Sequence, residues 1–244
     1  MHDTNPLLHT ALAYVGHGLS VIPVTRETKA PRLAHWQPYQ ERRATPAEVA
    51  RWFTRGYADA AARADAKADA LALAVVAGPV SGNLEVLDFD APDLFAPWLA
   101  QVQAVDPQLA AQLVIHRTQH GGYHVLYRSP VVAGNQKLAV DPERPGGKLT
   151  LIETRGAGGY VLAPPSAGYL TLQGGLTALP ELPAAARETL LRLARGFTRE
   201  APRPARPPQR PNRTSHSDGT RPGDDYNRRG DVTDLLARHG WQYV

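Results

Sequence analysis

Apolar residues at Leu7, Leu8, Leu12 and Val15 recur at helical spacing. Asn5 stands where an N-cap belongs, with Pro6 at the first helical position. Gly16 and Gly18 end that helix, and Leu19 to Val24 reads as a short strand. Thr45-Pro46-Ala47-Glu48 spells a capping box and predicts a helix to about Phe53. Residues 57 to 70 are Ala/Asp-rich with weak periodicity and read as helix or insertion, with no function assigned. Leu71 to Ala77 is a continuous apolar run, as a buried strand shows, and a turn at Gly78 to Asn83 leads to a second run, Leu84 to Asp90. A helix is predicted from Asp93 to about Val105.

Leu113 to Thr118 and Tyr123 to Arg128 alternate as strands around a turn at His120-Gly121-Gly122. Leu149 to Thr154 is a further strand, turned by Gly156 to Gly159 into Tyr160 to Ala163, where Pro164-Pro165 stops it. Tyr169 to Leu172 reads as a short closing strand, and Leu182 to Arg195 as an amphipathic helix. Early strands alternate with helices and later strands run in hairpins, which predicts an α+β (mixed α/β) domain over residues 1–197. Residues 198–222 alternate Pro with Arg, cannot build a core, and read as an extended linker, a solvated tether in preference to a segment whose arginines contact phosphates. Residues 223–244 carry a helical piece, Asp231 to His239, with too few apolar partners to bury it. They read as the truncated start of a following module.

Composition narrows the class. The chain has 244 residues and no cysteine, which removes disulfides, Cys-based zinc sites and cysteine nucleophiles. No apolar run approaches the ~20 residues of a membrane span, and the N-terminus lacks a signal-peptide pattern, so the expected location is cytoplasmic. A net charge of +4 permits a nucleic-acid partner without requiring one. Gly147-Lys148 is not a phosphate-binding P-loop, and neither a nucleophile elbow nor a dinucleotide fingerprint is present.

The strongest chemical signal is the acid-x-acid ending of Leu84-Glu85-Val86-Leu87-Asp88-Phe89-Asp90. On a strand, Asp88 and Asp90 point to one face and offer two hard oxygen ligands, which suit Mg²⁺ or Mn²⁺. The alternative is a strand end running into a turn at Ala91-Pro92. Glu153 is either a solvent-facing strand acid or, if its strand lies beside that of Asp88, a third carboxylate on the same ions. His124 is either structural or a donor to a polyphosphate brought close by Gly121 and Gly122. Arg155 shares the Glu153 face and either pairs with it or neutralises phosphate, and Lys29 is a looser loop candidate. The four-residue spacing of His116, His120 and His124 is not a helical metal row, because two glycines interrupt strand-like sequence.

In their order, three of these motifs resemble the prim-pol family, the bifunctional primase–polymerase domains of the archaeo-eukaryotic primase superfamily. They are Val86-Leu87-Asp88-Phe89-Asp90, Gly122-Tyr123-His124, and Glu153-Thr154-Arg155-Gly156 followed by Pro164-Pro165-Ser166. Gly18 to Pro23, Lys29-Ala30-Pro31, Trp36 and Trp52-Phe53 also look like the family's N-terminal half, so the resemblance spans about residues 7–197. Two positions depart from it: Gly122 stands where many members have Ser, and Glu153 where the acid is often Asp.

The resemblance implies a two-part catalytic core around a cleft, one part with an RNA-recognition-motif-like sheet. It implies a template-directed nucleotidyltransferase, a DNA primase or polymerase acting on single-stranded DNA template and primer with NTP or dNTP. Asp88, Asp90 and Glu153 would hold two Mg²⁺ or Mn²⁺ ions, with His124, Arg155 and Lys29 on the triphosphate. A fused or associated helicase is a further expected partner. Two other readings of the residues remain: a metal-dependent nuclease, and a non-catalytic single-strand-binding replication module. Tyr123, Tyr160 and Tyr169 are equal candidates for sensing the 2′-hydroxyl.

Overall fold

The computed structural model describes residues 5–54, 71–142 and 149–199. The expectations for residues 57–70, 223–244 and nearly all of 198–222 therefore lie outside the described residues.

Helix α1, Pro6–Gly16, begins as its sequence predicts: Asn5 Oδ1 accepts from the Leu7 and Leu8 amides. It ends at His17, after which Gly18 takes φ +81°, the left-handed conformation that only glycine adopts cheaply. Strand β1, Ser20–Thr25, follows. In α2, Pro46–Phe53, the capping box closes: Thr45 accepts from the Glu48 amide and Glu48 from the Thr45 amide. Strand β2, Leu71–Val76, pairs antiparallel with β1 on one edge and with β8, Tyr160–Leu162, on the other.

The larger sheet is also antiparallel and has the order β6-β7-β3-β5-β4-β9. Its strands are β3 (Leu84–Phe89), β4 (Val114–Arg117), β5 (Tyr123–Arg128), β6 (Lys137–Asp141), β7 (Leu149–Arg155) and β9 (Leu170–Gln173). Helices α3 (Phe95–Val105), α4 (Pro107–Gln112) and α5 (Ala184–Arg195) complete the unit. No helix among the described residues is long and apolar enough to cross a membrane.

Alternation along β3 decides where the site lies. Leu84 and Val86 enter a core shared with β1, β2, α1 and α2, including Val21, Val75, Trp52 and Phe53. Leu87 and Phe89 point the other way, into a core with Trp98, Leu109, Leu190 and Leu191. Burying each such side chain contributes roughly 1.5–3 kcal/mol, so both faces of β3 are fixed over most of its length. Asp88 continues the face of Leu84 and Val86, at the end where the apolar cover runs out. On the opposite face Glu85 is fully buried, and its carboxylate receives Arg187 of α5 at 2.6 and 2.7 Å and the Tyr127 hydroxyl at 2.8 Å. That cluster ties α5 to the back of the sheet.

The structure differs from the sequence expectation in four places. The predicted helix from Asp93 begins as a 3₁₀ turn, Pro92–Leu94, and becomes α-helical only at Phe95. α4 and β6 were not predicted. α4 is one and a half turns capped by Asp106, and β6 is broken by register shifts against β7, so neither carries a sustained period. Finally, β7 and β8 do not form a hairpin. Both edges of β7 are already paired, with β6 and β3, so the Gly156–Gly159 turn sends β8 to the free edge of β2.

Candidate active site

Asp88 lies between His124 and Glu153 across the sheet, paired by register with each. The sheet order that brings β7 against one side of β3 and β5 against the other therefore assembles the site. Asp88, Asp90 and Glu153 each offer one carboxylate oxygen within 4.8 Å of the other two. Such a group of hard oxygen donors can hold a metal ion. Asp88 and Glu153 are half-buried and Asp90 is exposed.

Arg155 joins the two strand acids. Its Nη2 bonds to Glu153 Oε1, and its Nε lies 3.5 Å from Asp88 Oδ2. His124 Nε2 lies 3.6 Å from Asp88 Oδ1. Burial pushes the Asp88 carboxyl up, opposed by Arg155 and Lys29. Burial and the nearby Asp88 push Asp90 up. Burial raises Glu153 too, against the pull of Arg155, with Asp88 and Asp90 adding to the rise. All three acids are thus held where their shared negative charge is under-compensated. His124 is driven down to about 3 by burial, reinforced by Lys29 and Arg155, so its ring is neutral at physiological pH.

Beside these groups is a pocket of about 290 Å³. Lys29, Asp88, His124, Arg155, Tyr160 and Tyr169 line it. Asp90 and Glu153 stand outside that lining, at its acidic edge. Lys29 reaches it from the turn after β1, with φ +58°, a left-handed conformation rare for a side-chain-bearing residue. The Tyr160 hydroxyl donates to the Lys29 carbonyl at 2.8 Å, and Trp36 packs edge-on against the Tyr160 ring. Strain in such a turn is maintained only where the surroundings fix it. Of the three tyrosines, Tyr160 and Tyr169 face the pocket. Tyr123 lies on the other face of β5, stacked on Phe95 with ring centroids 3.9 Å apart.

Gly122, read from sequence as an opening for a ligand, has another cause, and Gly156 of the turn after β7 shares it. A Cβ on Gly122 would sit 2.4 Å from the Phe89 carbonyl oxygen, and one on Gly156 would sit 1.9 Å from the Ala133 carbonyl oxygen. Close backbone contact within the protein, not a guest, requires glycine at both positions. Gly158 and Gly159 do line the pocket.

Asn135 is not marked by the sequence, and His116 is marked only by its spacing from His120 and His124. Asn135 lines the pocket and accepts from the Gly156 amide at 3.2 Å, holding the loop after Arg155. Its isolated position in a loop gave no signal. His116 is buried directly opposite His124 on the neighbouring strand, in keeping with the strand reading that excludes a helical row.

A family model described as bifunctional DNA primase/polymerase, N-terminal, matches residues 11–185. No curated protein matches the chain significantly.

Proposed function

The chain belongs to the Prim-Pol family of bifunctional DNA primase/polymerase N-terminal domains, and on that premise we propose that it is a template-directed nucleotidyltransferase that uses two divalent ions on single-stranded DNA. Family membership implies DNA primase/polymerase activity. The observation that carries the finer reading is the register of Asp88 with Glu153, which gathers three carboxylates at the rim of a cationic pocket.

The donor set fits Mg²⁺ or Mn²⁺. Three oxygens converge, no softer ligand stands among them, and burial raises all three acids, with neighbouring carboxylates adding to the rise at Asp90 and Glu153, as expected of a site completed by a cation. When bound, such ions supply Lewis-acid stabilisation at phosphorus and acidify an attacking hydroxyl. Arg155 and Lys29 give the pocket its positive charge and suit the oxygens of a triphosphate. Arg155 would release part of its hold on Glu153 and Asp88 as phosphate and cation arrive. His124, neutral, contributes a single N–H that needs no counter-charge. Tyr160 and Tyr169 supply the wall for sugar and base. Template contacts would be mainly to phosphates and would weaken with salt. The reading takes residues 1–197 as the catalytic domain.

The test is primer extension and dinucleotide synthesis on single-stranded DNA with Mn²⁺, comparing the native chain with the double variant Asp88→Ala, Asp90→Ala. Activity confined to the native chain supports the reading, and equal activity in both sinks it. Shortening of labelled DNA without any nucleoside triphosphate would indicate a nuclease instead.

A further inference from the structure

His116 of β4 and His124 of β5 are direct register partners, with His116 1% and His124 5% exposed. Three of their four ring nitrogens, both of His116 and Nδ1 of His124, are buried with no hydrogen-bond partner among the described residues. An unpaired buried polar atom costs about 1–3 kcal/mol, so three side by side at the edge of a candidate active site need a reason.

The reason follows from donor and acceptor counting. Burial holds both rings neutral, and a neutral imidazole has one N–H and one bare nitrogen. His124 Nε2 faces an Asp88 carboxylate oxygen, which in its ionised form only accepts. Nε2 therefore carries the proton, and Nδ1 must accept from something else. Across the strand pair the register supplies His116. Opposed side chains stand about 4.5–5.5 Å apart at Cβ; the two rings make no direct hydrogen bond, and one bridging water is within reach of both. Tyr169, whose ring centroid is 6.0 Å from that of His124, is the rival donor.

We propose that His116 is a positioning residue, whose ring N–H, through one buried water, fixes His124 in the Nε2–H tautomer directed at Asp88 and the pocket. Only the kinetic consequence rests on the nucleotidyltransferase reading. His116 would touch neither nucleotide nor metal.

Imidazole ¹⁵N spectra of the metal-free protein test this, with His124 assigned from its own variant. The expected result is a single Nε2–H form of His124 in the native chain, mixed tautomers in His116→Phe, and recovery in His116→Gln, which restores a donor. Where primer extension is observed, His116→Phe should raise KM for the nucleoside triphosphate about fivefold, the scale of one lost hydrogen bond, with kcat changed less than about twofold. An unchanged His124 tautomer in His116→Phe, equal behaviour of the Phe and Gln variants, or loss of the tautomer in Tyr169→Phe instead would overturn the proposal. Should His116→Phe not fold, a native spectrum with His124 in the Nδ1–H form would overturn it alone. A chain that extends no primer would refute the functional reading while leaving the tautomer result decisive for His116.

Discussion

Asp88 of β3 and Glu153 of β7 are direct cross-strand partners, 65 residues apart in sequence. Like charges placed opposite on a sheet destabilise it unless something lies between them. Here Arg155 bonds to both carboxylates, and Asp90 adds a third negative group within 4.8 Å.

That imbalance predicts a metal-dependent stability. Mn²⁺ at about 100 times its dissociation constant should stabilise the native chain by about 2.7 kcal/mol, read as a rise in Tm. Asp88→Ala should abolish the rise. A chelator should return the native chain to its starting Tm.

The acids also set a pH dependence in the absence of metal. Their folded pKa values are raised, so the protonated form favours folding, and this contribution fades as pH rises through the raised values. Asp90→Asn should therefore raise Tm at pH 7 in chelator and change it little at pH 4. The measurement is thermal denaturation across that range.

His116 acts with the opposite sign. Burial and its neighbour His124 push it down to about 3, so its contribution is complete above its unfolded value near 6.5 and is lost as pH falls toward 3. One such ring contributes a slope of up to about 1.4 kcal/mol per pH unit. Urea denaturation of His116→Leu between pH 6.5 and 4 should show a visibly flatter loss of stability than the native chain.

Behind the site, Arg187→Met should destabilise strongly. It leaves Glu85 fully buried with only the Tyr127 hydroxyl, and breaking a buried ion pair from one side costs about 3–5 kcal/mol. The paired change Glu85→Leu with Arg187→Met should recover most of that loss. Urea midpoints compare the variants.

Gly122→Ser restores the residue found in many proteins this chain resembles, yet here it should be harmful. Its Cβ would lie 2.4 Å from the Phe89 carbonyl, which is backbone and cannot swing aside. A loss of about 1–3 kcal/mol is expected in denaturation, together with reduced activity, because Phe89 sits between the two aspartates.

Local signals in the sequence marked most elements, because caps and periodicities act over a few residues. Asn5, the Thr45–Glu48 box and the apolar runs of β2 and β3 were legible for that reason. α4 and β6 escaped because one is short and the other bulged. The glycines were visible, but their cause was not: what presses on Gly122 and Gly156 is backbone from distant segments.

The chemistry available to this protein was fixed by sequence: two acids on one strand face, a third on a later strand, one arginine two residues beyond it, and no cysteine. Strand pairing across long stretches of chain decided the rest. It set Glu153 opposite Asp88, put His124 on the other flank, sent β8 to the small sheet, and thereby brought Lys29 and Tyr160 to the pocket. Each strand had two edges to offer, and only the packing of both sheets together determined which partner filled them.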